Sequence, residues 1–209
     1  MAAMTQTEPG DQRLAKGARA RATIARRAAE LASVEGLDGL SIGMLATDLG
    51  ISKSGIATLF GTKEALQLAA VQTAREVFIE RVIAPSLREP RGAGRVRALI
   101  ERWFAHIEQP PFPGGCFRVA TLTEFSSKPG PVRDAVVADH DEWLAILAGE
   151  IRKAQTVGDF AGVDAELLVF ELDAVVSAAN IARQIGDTAR VDAARAIATR
   201  LLSAGSMQV

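Results

Sequence analysis

Apolar residues recur at three- and four-residue spacing along most of the chain, and nowhere do they alternate as a half-buried strand would. Ile24, Ala28, Leu31 and Ala32 predict a first helix over about 18–35, stopped at Glu35-Gly36, where glycine can take the left-handed conformation that ends a helix. A second helix starts after Ser41 and stops at Leu49, before Gly50. A third follows Ser52. In both, a serine at the N-cap can accept from orphan backbone N–H groups. Leu40 with Leu45, and Ile51 with Ile56, have the spacing of a hydrophobic staple. Thr62 then caps a long fourth helix running to about Ile83.

Pro85 and EPRGAG interrupt the pattern, and Val96, Leu99, Ile100, Trp103, Phe104 and Ile107 restart it as an amphipathic fifth helix. After QPPFPGG, helices are expected at about 115–126, 130–156, 164–186 and 188–203, divided by SKPG, VGDFAG and IGD. The fold class is therefore all-α, with about nine helices. Residues 1–12 lack periodicity and read as a disordered leader.

At 209 residues with 48% hydrophobic and 23% charged positions, the chain can bury a sizeable core, and its balance excludes a disordered or collagenous protein. The most apolar stretch, 167–185, is broken by Glu171, Asp173 and Arg183, and the N-terminus has no secretory apolar core. No membrane span and a cytoplasmic location are expected. A single cysteine, Cys116, excludes an internal disulfide; with His106 and His140 as the two histidines, neither a metal site nor a cofactor is expected. The net charge of −1 conceals a basic end: Arg13, Lys16, Arg19, Arg21, Arg26 and Arg27 occur with no acid among them. Such a run can be a solvated helix face or an arm that follows a DNA backbone.

Two short helices joined at a glycine, the second entered through small polar residues, have the form of a DNA-reading helix-turn-helix. Ala46 is small where the helices would cross. Leu45, Leu49, Ile51, Ile56 and Leu59 would lock them together, leaving Lys53, Ser54, Ala57 and Thr58 to face a major groove.

RATIARRAAELASVEG, LSIGMLATDLGISKSG and LFGTKEAL, in this order and spacing, resemble the N-terminal domain of the TetR family of bacterial transcriptional regulators. The resemblance is strong over residues 20–68. It implies a DNA-binding domain at 13–62 and an effector-binding and dimerisation domain at 63–209. By position, Ser41, Ser52, Lys53 and Lys63 become candidates for phosphate contact, Ser54, Ala57 and Thr58 for base edges, and Arg19 and Arg21 for the basic arm. Ser41, Ser52 and Thr62 would serve as caps in any helical protein. Ala57 and Leu59 depart from the family pattern, where aromatic residues or histidine are common.

The resemblance further implies a repressor: a homodimer, formed through the last two helices, on a roughly palindromic operator from which a small molecule releases it. Leu167, Leu168, Phe170, Leu172, Val175, Val176 and Ile181 would supply the apolar faces, with an intramolecular core as the alternative. Trp103, Phe104, Cys116, Phe117, Phe125 and Trp143 could line a pocket for an apolar or amphipathic effector, with Thr121, Asn180, His106 and Glu124 as polar contacts. Three other readings use the same residues: an exposed redox-sensing Cys116, a Cys116–histidine enzyme, and a helical dimer that has lost DNA binding.

Overall fold

The computed structural model describes residues 9–204. Among them are nine helices and no strand: α1 (Pro9–Gly39), α2 (Ile42–Leu49), α3 (Lys53–Phe60), α4 (Lys63–Phe78), α5 (Ala93–Glu108), α6 (Phe117–Phe125), α7 (Pro131–Gln155), α8 (Ala165–Gln184) and α9 (Thr188–Ala204). After Phe78, α4 continues through a π-helical turn, Ile79–Ile83, into Ala84–Ser86. No helix among the described residues is long and apolar enough to cross a membrane.

The expected elements are present, and the largest difference lies at the start. Helix α1 begins at Pro9, well before the first apolar repeat, so residues 9–12 of the expected leader are helical and 1–8 lie outside the described residues. Proline suits the first helical position, where its missing N–H would go unused, and Ala15, Ala18, Arg19, Ala20 and Arg21 are good helix formers with exposed side chains. At the other end, α1 is kinked at Gly36, which takes φ 78° and ψ 157°.

Two cores divide the molecule. In the head, Ile24, Ala25, Ala28, Ala29 and Ala32 of α1 pack against Leu45 and Ala46 of α2, Ile56 and Phe60 of α3, and Leu66, Ala70, Val71 and Ala74 of α4. Phe112, Phe117, Phe125, Val132 and Val136 join this same cluster, so the apolar core runs uninterrupted across the boundary expected at 62–63. The body core gathers around Trp103, Phe104, Trp143, Leu147, Leu172 and Val176. There Phe78, Trp103 and Trp143 meet edge-on, with ring centroids 4.9–5.8 Å apart, the arrangement that aromatic quadrupoles favour.

Two loops do more than connect. In the 109–116 loop, a Cβ on Gly114 would stand 1.7 Å from the Ser33 carbonyl oxygen, so only glycine lets this segment press against α1. In the loop between α7 and α8, Phe160 adopts φ 54° and is fully buried. Burying a phenylalanine contributes about 1.5–3 kcal/mol, enough to offset the ~1–2 kcal/mol cost of left-handed backbone.

Candidate functional site

The helix-turn-helix is fixed by its caps. Ser41 Oγ accepts from Met44 N at 3.1 Å, Ser52 Oγ from Gly55 N at 3.1 Å, and Thr62 Oγ1 from Ala65 N at 3.0 Å. Gly50, at φ 65°, turns the chain between α2 and α3. Leu45 and Ile56 are fully buried and Leu49 and Leu59 half-buried, but Ile51 is 42% exposed. The staple expected from Ile51 is therefore not closed. Phe60, one turn beyond Ile56, is the anchor that the spacing argument missed.

Anchored in this way, α3 presents Lys53, Ser54 and Thr58 outward, with Ser41 and Ser52 exposed beside them and Ala57 half-buried. Thr58 Oγ1 donates to the Ser54 carbonyl at 2.8 Å, and Ser54 Oγ lies 3.2 Å from Ser52 Oγ. These hydroxyls are satisfied locally yet reorient at little cost. The end of the Lys53 side chain lies over Gly43, where an added Cβ would meet its Cε at 3.3 Å.

The other cations serve largely as ties. Lys63 Nζ donates to the Asp38 carbonyl at 2.5 Å, and Arg21 donates to the Leu59 carbonyl while its guanidinium lies 4.3 Å from the Phe60 ring. Arg27 grips both Asp48 oxygens, at 2.6 and 2.8 Å, and these bonds hold its charge above the usual arginine range. Arg26 reaches the Pro111 carbonyl at 2.6 Å and stacks on Phe112. Arg19 is exposed on α1. Arg21, Arg26 and Arg27 of the run thus hold α1 to its neighbours, while Lys16 and Arg19 stay exposed.

Glu124 ties α6 to α1 rather than lining the cavity. Its Oε2 accepts from Leu37 N and its Oε1 from Asp38 N, both at 2.9 Å, just past the Gly36 kink. Asn180 is also structural: its Oδ1 accepts from Cys116 N at 3.0 Å. Cys116 is 1% exposed, which removes the premise of an exposed redox thiol, and burial pushes its pKa up. Burial also holds His106 at about 3, with further lowering from Arg81 and Arg118. These shifts are opposite to those a thiolate–imidazolium pair requires.

A cavity of about 10 Å³, the volume of roughly one water, lies between α4, α5, α6 and α7. Of the expected effector residues, Cys116, Phe117, Thr121 and His106 line it. Trp103, Phe104, Phe125, Trp143 and Asn180 are packed outside its lining, with Phe104 under Arg195 at 4.5 Å.

The polar centre of this cavity is Arg118, a residue that no motif in the sequence marks. Arg118 is 6% exposed, holds Asp139 with Nε and Nη2 at 2.7 and 2.9 Å, and stacks 3.9 Å from the Phe78 ring. Its Nη1 has no hydrogen-bond partner, and neither does His106 Nδ1. An unmade hydrogen bond at such depth costs about 1–3 kcal/mol. Arg75 of α4 approaches the same Asp139 at 3.8 Å and bonds Glu142 at 2.6–2.9 Å. The available signal was a charged residue at 118 directly after the buried Cys-Phe pair.

Residues 92–198, just over half of the chain, match the family model of the tetracyclin repressor-like C-terminal domain. A TetR transcriptional regulator from Chloroflexus aurantiacus J-10-FL superposes with a TM-score of 0.82 at 27% identity, covering 93% of this chain and 98% of that one. Two more distant structures share the fold. AibR, in complex with isovaleryl coenzyme A and operator DNA, gives a TM-score of 0.67 at 19% identity over 88% and 96% of the two chains. A regulator from Saccharomonospora viridis, in complex with choline, gives 0.69 at 23% over 88% and 94%. No curated protein matches the chain.

Proposed function

Because the chain belongs to the TetR family of transcriptional regulators, we propose that it acts as a homodimer on a roughly palindromic operator and leaves it when a small effector enters the body. The carrying observation is the outward face of α3, where Lys53, Ser54 and Thr58 project from a helix anchored by buried Ile56 and Phe60. Lys53 neutralises phosphate, and Ser54 and Thr58 read base edges. The head, 13–62, is the DNA-binding unit, and 63–209 binds effector and dimerises.

Dimerisation is supported by the outer face of α8. Leu167, Phe170, Ala174, Ala178, Ile181 and Ile185 are all exposed at spacings of three or four residues, while Leu168, Leu172 and Val176 point into the body core. An exposed apolar stripe of this length is the usual sign of a helix–helix partner. Two-fold pairing through α8 and α9 places two copies of α3 for successive major grooves, about 34–36 Å apart.

Helix α4 connects the two activities. It starts at Lys63 beside the DNA-binding helices and passes the effector cavity at Ala74, Arg75 and Phe78. An effector that prefers a different tilt of α4 shifts the population away from the DNA-competent spacing. AibR, of the same fold, is known with both operator DNA and a coenzyme A ester, which supports a similar division of labour.

Selection of bound sequences from random duplex DNA tests this reading. The expected product is an inverted repeat whose binding weakens steeply with salt. Recovery of no preferred sequence at low salt, or a chain that sediments as a monomer, would overturn it.

A further inference from the structure

The cavity and the outer surface of the body are separated by one ion-pair latch. On its outer side lies an open groove of about 380 Å³ between α4 and α7, lined by Leu68, Gln72, Ala135, Ala138 and Glu142. Val71, Arg75 and Asp139 line both the groove and the inner cavity. Arg75 spans this boundary, tied on the surface to Glu142 and inward to Asp139, which Arg118 grips from within. Two guanidinium groups thus converge on one half-buried carboxylate.

We propose that this site takes a small organic carboxylate with an apolar body, which enters from the groove, displaces Glu142 from Arg75 and accepts from the unpartnered Nη1 of Arg118. The inference rests on the reading of the body as an effector domain and specifies its ligand. Several observations select this chemistry. Arg118 is almost wholly enclosed and offers a free donor into the cavity, which an acceptor oxygen would satisfy. Glu142 is 46% exposed and can return its charge to water, so the exchange leaves the local charge unchanged. Arg118 and Asp139, at 5% and 12% exposure, stay paired.

The remaining walls fit the other end of such a molecule. Val71, Ala74, Phe78, Phe112, Phe117 and Val136 supply apolar surface, and His106, held neutral by its surroundings, can donate from Nδ1 to the second carboxylate oxygen. A cation meets two arginines here. A primary amide brings a second set of N–H donors to a place already rich in them.

Size makes binding regulatory. A cavity of one water's volume cannot admit a carboxylate with an apolar tail unless α4 and α7 separate where Arg75 joins Glu142. The helix that must move is the one whose first turn is tied to the head through Lys63.

The test uses the full-length dimer and its own fluorescence, because the protein's two tryptophans both lie in the aromatic cluster beside Arg118. Straight-chain monocarboxylates of two to ten carbons and benzoate are titrated alongside their primary amides and choline, without DNA. The expected result is saturable fluorescence change with one or more carboxylates and at least about tenfold weaker response to the matching amides, as loss of a charge-assisted pair implies. Arg118→Lys should weaken carboxylate binding by about tenfold, while Glu142→Gln, on the surface and retaining the fold, should strengthen it several-fold by freeing Arg75. Equal response to acids and amides, no response to any acid, or no effect of Glu142→Gln on affinity would overturn the proposal. Operator binding is measured separately: a wild-type protein that binds no selected duplex defeats the regulatory reading, and the titration still decides the ligand class.

Discussion

The head and the body are both helical, yet they are finished differently. The head core is built largely from alanine, leucine and isoleucine, and its helix starts are capped by their own serine and threonine hydroxyls. The body core holds both tryptophans, and six buried polar atoms among the described residues have no hydrogen-bond partner: on Trp103, His106, Arg118, His140, Trp143 and Asp173. All lie in the body. Burial pushes the pKa of both Cys116 and Asp173 up, and the neighbouring Trp103 and Trp143 indoles offset only part of that rise. Among the described residues the head leaves no buried side-chain polar atom unpaired, whereas the body keeps both donors and an acceptor unpaired in its interior.

This contrast can be broken from either side. The largest effect is expected for Trp143→Ala, which removes a fully buried indole from the body and should cost about 3–5 kcal/mol in denaturant unfolding. Next comes pH. His106 has a folded pKa near 3 against 6.5 when unfolded, so between these values the unfolded chain binds the extra proton. Its contribution to stability is complete above about pH 6.5 and declines as pH falls toward 3, by on the order of a few kcal/mol. Comparing unfolding of wild type and His106→Gln across that window should show a shallower acid dependence in the variant.

In the head, enlargement rather than truncation is the sensitive change. Ala28→Leu, at a position with no exposure, should cost about 1–3 kcal/mol through overpacking, as read by thermal unfolding. Ser52→Ala removes the α3 cap and should cost ~1 kcal/mol. The smallest effect on stability, within about 0.5 kcal/mol, is expected for exposed Lys53→Ala, whose signature is instead a salt dependence of duplex binding reduced by about one counterion. An unchanged salt slope would remove Lys53 from the DNA interface.

The helix-turn-helix could be read from the chain because its determinants are local: Ser41, Gly50, Ser52 and Thr62 each act within four residues of themselves. The early start of α1 could not, since a solvated helix carries no apolar period. The cavity was only half legible. Aromatic residues marked the right helices, but most proved to be packing, and the polar centre joins Arg118 to Asp139, 21 residues apart, and Arg75 to Glu142, 67 apart. Ties between head and body are more distant still: Arg26 to Pro111 spans 85 residues and Glu124 to Leu37 spans 87. No spacing rule reaches that far.

Glu124 has one further consequence. A single carboxylate from α6 clasps two successive backbone amides beyond the bend in α1, so the amino-terminal unit cannot swivel at Gly36 without surrendering both bonds together. On the mechanism proposed above, a displacement of α4 would meet this clasp as a fixed point and would turn α3 about it rather than be lost as slack.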